Sequence, residues 1–103
     1  MIATCAEFEL STQGFTDIHD VTDRVAEAVS QASLAEGLAT VFTPGATASV
    51  TAIEYESGAV ADLRRAIERL APAGPEYAHD ARWGDGNGYS HVRSALVGPS
   101  LVV

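Results

Sequence analysis

The sequence predicts an α+β fold in which a mostly antiparallel sheet packs against two helices, and three observations carry that prediction. Apolar and polar residues alternate from Ile2 to Leu10 and again from Ala46 to Glu54. Two other stretches, after Asp20 and after Ser57, repeat their apolar residues at helical spacing. The order of elements, strand, helix, two strands, helix, long loop and strands, argues for an α+β fold with a mostly antiparallel sheet. At 103 residues the chain has room for a single domain, residues 1–103, with one core and somewhat under ~70% of its unfolded surface buried.

The first element is a half-buried strand over residues 2–10, which Gly14 breaks. Asp20 then stands before Val21, Val25, Ala28, Val29 and Ala32, and Asp23 adds a carboxylate to the first turn. This predicts a helix ended by Gly37. Leu38 to Phe42 reads as a buried strand, Pro44-Gly45 as a turn, and Ala46 to Glu54 as a second strand paired to it or close by. Val60, Leu63, Ile67 and Leu70 form one stripe of an amphipathic helix that begins near Ser57-Gly58. Arg64 and Glu68, four apart, would support it by roughly 0.2–0.5 kcal/mol. Pro72, Gly74 and Pro75 stop it. Residues 72–87 read as a long irregular connection, Tyr89 to Val97 as an alternating strand, and Leu101 to Val103 as the start of another. The predicted core is Phe8, Val25, Val29, Phe42, Leu63, Ile67 and Leu70.

Composition narrows the function classes. An apolar fraction of 47% is that of a globular protein. Six arginines and no lysine face fourteen acidic residues, for a net charge of −8. Such a surface repels phosphate backbones and anionic lipid, so neither nucleic acid nor a membrane surface is an expected partner. The single Cys5 excludes an internal disulfide and is expected to be a small, half-buried hydrophobe. No apolar run is long enough to cross a bilayer and the N-terminus lacks a secretory pattern, so the expected location is cytoplasmic.

Chemistry-bearing residues concentrate in Tyr77-Ala78-His79 and Trp83-Gly84-Asp85-Gly86-Asn87-Gly88-Tyr89-Ser90-His91. Imidazole and carboxylate suit zinc and similar ions, and both act as acids or bases near neutral pH. A Gly-rich turn capping its own backbone is the plainer alternative. On strand parity, Glu54 ends the apolar face of Ala46, Ala48, Val50 and Ala52, where a carboxylate needs a metal, an imidazolium or a substrate hydroxyl. The same parity gives Tyr89, His91 and Arg93 one shared face. Arg82 and Arg93 are the arginines placed to clamp a phosphate or carboxylate. His19 reads as a solvated or capping residue. Thr47, Ser49 and Thr51 read as ordinary sheet surface, with no base beside them in sequence.

Pro44-Gly-Ala-Thr47-Ala-Ser-Val-Thr-Ala-Ile-Glu54, Asp62-Leu63, Tyr77-Ala-His79, Asn87-Gly-Tyr-Ser-His91 and Leu96-Val-Gly-Pro-Ser100, in this order and spacing, resemble the YjbQ family. It is also called UPF0047 or the secondary thiamine-phosphate synthase family. The resemblance covers nearly the whole chain. It implies a small α+β protein that assembles as a homotrimer, with a polar pocket that holds a metal ion in some members; from the ligand types, a divalent metal such as zinc is the expected ion. It also implies weak thiamine-phosphate synthase activity, in which a pyrimidine methyl pyrophosphate joins a thiazole phosphate and pyrophosphate leaves.

Two departures mark this chain. Family members often read His-Thr-Thr-Ala where it has Gly45-Ala46-Thr47-Ala48, and His-Ala-His where it has Tyr89-Ser90-His91. It is similar to a sub-branch with a Pro-Gly-x-Thr-Ala turn and a Glu54-Tyr-Glu56 run. Carried over residue by residue, Glu54, His79, Asn87 and His91 keep the family pattern, while Asp85 and Tyr89 stand on chemistry alone. The resemblance also implies further strands after Gly98-Pro99-Ser100, which this sequence does not include; the sheet edge left open then predicts self-association. The expected site has Glu54, His79 and His91 as acid/base residues and metal ligands, with Asp85, Asn87, Tyr89 and Arg93 on its wall. A small phosphorylated molecule is the expected substrate class. The rival expectation is a trimeric scaffold that binds a metal or small anion without turnover.

Overall fold

The computed structural model describes residues 1–74 and 76–103. Its elements run α1 (Thr22–Gln31), β1 (Thr40–Phe42), α2 (Ser57–Leu70), α3 (Ala78–Trp83), α4 (Gly88–Val97) and β2 (Ser100–Val102). The architecture is α+β with an antiparallel sheet, here of two short strands beside four helices.

Helix α1 starts where the sequence places it. Asp20 accepts from the Thr22 N–H at 2.9 Å and from its hydroxyl at 2.6 Å, which engages a donor the first turn cannot satisfy internally. The helix ends well before Gly37: Ala32 caps it and Ser33 takes a left-handed conformation, φ 56°. Helix α2 is capped by Glu56, whose carboxylate accepts from the Gly58 and Ala59 N–H groups at 2.6 and 2.8 Å. Arg64 does not pair with Glu68 as expected; its Nε donates to the Thr16 carbonyl at 3.2 Å.

The sheet differs from the predicted pairing. Thr40, Val41 and Phe42 face Val102, Leu101 and Ser100, rather than residues 46–54. Two backbone bonds between Ala39 and Val103, at 3.2 and 2.8 Å, extend the ladder by one residue pair. Residues 46–54 are not a strand. Their carbonyls are taken by side chains of α4 instead: His91 Nδ1 lies 2.9 Å from the Ala46 oxygen, and Ser94 Oγ donates to the Ala48 oxygen at 2.5 Å. A backbone bond from Val50 N–H to the Gly98 carbonyl, 3.0 Å, fixes the far end of the segment. Residues 2–10 are likewise exposed and unpaired. They touch α1 where Arg24 stacks over the Phe8 ring, 5.3 Å from its centroid.

The largest correction concerns residues 88–97, which form helix α4 rather than a strand. The stretch fits both periods, and the helical one wins because it lays His91 and Ser94, three apart, along the 46–48 carbonyls. Residues 78–83, expected to be irregular, form α3, which stops at Gly84 in a left-handed conformation with φ 72°.

The predicted core is also corrected. Val25, Leu63 and Ile67 are half-buried, but Phe8, Val29, Phe42 and Leu70 are exposed. Among the described residues Ala71 is the buried apolar residue and Ser94 the buried polar one. Cys5, expected half-buried, is an exposed free thiol. The physical reason is extent. The radius of gyration is 15.9 Å, against ~13 Å for a compact chain of this length, and a two-stranded sheet cannot cover the apolar faces of the helices.

Candidate functional site

The site is built at the corner where α3 turns into α4. Gly84 and Gly86 both adopt left-handed conformations, φ 72° and 70°, which residues with a Cβ rarely take. The chain therefore reverses within Gly84–Asn87. Gly88, the first residue of α4, sits directly against Tyr77, and a Cβ there would fall 2.7 Å from the Tyr77 Cβ. The Gly88 N–H donates to Asp80 Oδ1 at 2.8 Å, and the Tyr77 hydroxyl donates to the Pro72 carbonyl at 2.7 Å. The Gly88 contacts lock α3 and α4 together, and the Tyr77 hydroxyl ties the start of α3 to the chain after α2.

That lock brings His79 of α3 against His91 of α4, ring centroids 4.6 Å apart and planes at 88°. A carbonyl oxygen only accepts, so the 2.9 Å contact to Ala46 places the proton of His91 on Nδ1. In the neutral ring this leaves the Nε2 lone pair available, the arrangement that orients a ligating histidine. The His79 Nε2 atom is buried and has no hydrogen-bond partner among the described residues. Asp85 Oδ2 stands 3.5 Å from it, too far for a good hydrogen bond. Asn87 Oδ1, at the start of α4, is the second buried side-chain atom without a partner. Two orphaned polar atoms at one corner are unusual, since buried polar groups are almost always satisfied.

Other candidate residues lie elsewhere. Tyr89 and Arg93 do not share a face with His91: residues two apart on a helix lie about 200° from one another. Instead they pair with each other, the Arg93 guanidinium 4.8 Å from the Tyr89 ring centroid, and Tyr89 stacks on Phe15 at 6.3 Å. Glu54 is exposed in the irregular segment before α2, so the strand parity that aimed it inward does not hold. Among the described residues, no group of three or more His, Cys, Asp or Glu side chains is placed to hold a metal. Arg82 stacks over the exposed Trp83 ring, 5.1 Å from its centroid. His19 pairs with Asp17 at 2.9 Å on the surface. The Asp17 carboxyl is held below its ordinary range by the Gln13 N–H and then by His19.

Sequence reasoning missed Asp80, Gly88 and Ser94. Asp80 and Gly88 act on each other across the α3–α4 turn and Ser94 acts on a carbonyl 46 residues earlier, and no local pattern announces either. No helix among the described residues is long and apolar enough to cross a membrane.

A family model described as UPF0047 protein YjbQ-like matches residues 6–103. The chain is 35% identical over 97 residues to a UPF0047 protein of Archaeoglobus fulgidus, covering 94% of this chain and 73% of that protein. It is 41% identical over 68 residues to a UPF0047 protein of Mycobacterium tuberculosis, covering 66% of this chain and 52% of that protein. Among solved structures, a YbjQ-like protein of unknown function from Sulfolobus solfataricus superposes with a TM-score of 0.84 at 25% identity, over 90% of this chain and 66% of that one. An uncharacterized protein of the same family from Clostridium acetobutylicum gives 0.73 at 27% identity, over 82% and 64%. The chain thus spans just under two thirds of both solved relatives.

Proposed function

Because the chain belongs to the UPF0047 YjbQ-like family, we propose that its His79–His91 corner is a divalent-metal site serving a transferase of the thiamine-phosphate synthase type, in a homotrimer. The observation that carries this reading is the state of the two rings: His91 is oriented through Nδ1 by the Ala46 carbonyl, and His79 turns a buried, unpartnered Nε2 toward the same corner. The donor set would be the two imidazoles and, as third ligand, the Asp85 carboxylate 3.5 Å from His79, a combination that suits zinc. Held by these residues, such an ion would supply positive charge for a departing pyrophosphate. Asp80 and Gly88 hold the corner rigid, and Asn87 Oδ1 is left to accept a hydrogen bond from the substrate.

The extended shape and the exposed Leu38, Leu70 and Leu96 support self-association. The −8 charge favours one rival, a trimeric scaffold that binds a metal or small anion without turnover, because it repels phosphorylated substrates unless a cation compensates. The test is formation of thiamine phosphate from the pyrimidine pyrophosphate and thiazole phosphate, with zinc-loaded and chelated protein. Product that forms only with metal, and is lost in His79→Ala, supports the enzyme. Metal binding without product replaces it with the scaffold.

A further inference from the structure

We propose a second ligand site, separate from the histidine corner, for a small amino-acid-like zwitterion in the cavity between residues 15–16 and the end of α2. This cavity of about 250 Å³ is lined by Phe15, Thr16, Glu68, Pro72, Ala73 and Arg93.

Three independent observations meet there. Arg93 is a half-buried cation without a carboxylate partner among the described residues: its Nε donates to the Ala71 carbonyl at 2.8 Å and a terminal nitrogen to Thr16 Oγ1 at 2.7 Å. Glu68 lines the same space, is exposed, and is likewise without an ion pair among the described residues. Opposite charges therefore share one cavity without lying within ion-pair distance of each other, and a molecule carrying both a carboxylate and an ammonium group bridges that gap.

The third observation is the wall itself. Gly14, Phe15 and Thr16 are successive left-handed residues, φ 74°, 55° and 68°, and a β-branched threonine in that region is a genuine outlier. Such conformations persist only where the surroundings over-determine them, and they cluster at ligand clamps. Here two arginines hold the strand of chain in place, Arg93 through the Thr16 hydroxyl and Arg64 through its carbonyl at 3.2 Å. Phe15 is braced by stacking on Tyr89. In the bound state the carboxylate faces Arg93, the ammonium faces Glu68, and an apolar side chain lies against Phe15 and Pro72.

The experiment is a titration of isotopically labelled protein with L-leucine, isocaproate and isoamylamine, the last two lacking the ammonium and the carboxylate respectively. The amide signals of Gly14, Phe15, Thr16 and Arg93 report binding. The expected result is saturable shifts with leucine, and binding at least about tenfold weaker for either half-molecule, as loss of one charged hydrogen bond implies. Glu68→Gln, an exposed change that spares the Arg93 contacts, should reduce leucine to the affinity of isocaproate. Equal binding of leucine and isocaproate by the native chain, unchanged leucine affinity in Glu68→Gln, or no saturable shift would overturn the proposal.

Discussion

The imidazole of His91 donates through Nδ1 to the carbonyl of Ala46, 2.9 Å away, so one bond joins α4 to a segment 45 residues earlier. That bond does two things at once. It satisfies a carbonyl that has no strand partner, and it fixes which nitrogen of His91 is free beside His79.

The close approach at Gly88 makes the α3–α4 corner intolerant of a side chain. Gly88→Ala forces a methyl to within 2.7 Å of the Tyr77 Cβ, and overpacking of this kind costs about 1–3 kcal/mol. Chemical denaturation should show that loss, with the His79 and His91 ring signals moving in the same variant. An unchanged midpoint would mean that the corner yields without cost.

Glu56 links α2 to pH. Its carboxyl is held below the usual 4.5 by the Gly58 N–H first, then by that of Ala59. A group whose folded value is lowered stabilises the fold above its unfolded value and loses that contribution as pH falls through the folded one. The native chain should therefore lose helix content progressively as pH falls below about 4.5, and Glu56→Gln should flatten that dependence. Identical acid titrations by circular dichroism would remove Glu56 as the cause.

Leu63 is half-buried, so Leu63→Ala should cost about 1–2 kcal/mol, less than the ~2–5 kcal/mol of a fully buried leucine. Denaturant midpoints check this. A loss in the upper range would show that assembly covers α2 more fully than the single chain does.

Much of this architecture is legible in the sequence where local forces decide it. Asp20 announces the start of α1 and Ser57-Gly58 that of α2, whose period the stripe of Val60, Leu63 and Ile67 gives; the Glu56 cap is seen in the structure alone. Residues 40–42 and 101–102 are read correctly as strand. What is not legible depends on distant partners. Alternation over residues 2–10 and 46–54 marks stretches able to be strands, yet a strand needs a neighbour, and α4 claims the carbonyls of Ala46 and Ala48. Tyr89 to Val97 alternates and also repeats at helical spacing, so only the contact with residues 46–48 decides between the periods. At the site, the nearness of His79 and His91 is anticipated from their clustering. The separation of Tyr89 and Arg93 from His91 is not, because it follows from the helix.

The central claim is that His79 and His91 together bind a divalent ion, and cobalt(II) titration followed by visible absorption tests it most directly. His91→Asn keeps a donor where Nδ1 meets the Ala46 carbonyl but removes Nε2, so it separates binding from folding. The account predicts a saturable ligand-field spectrum for the native chain, absent in His79→Ala and in a folded His91→Asn. A native chain that gives only the spectrum of aqueous cobalt, or variants that bind as the native chain does, would contradict it.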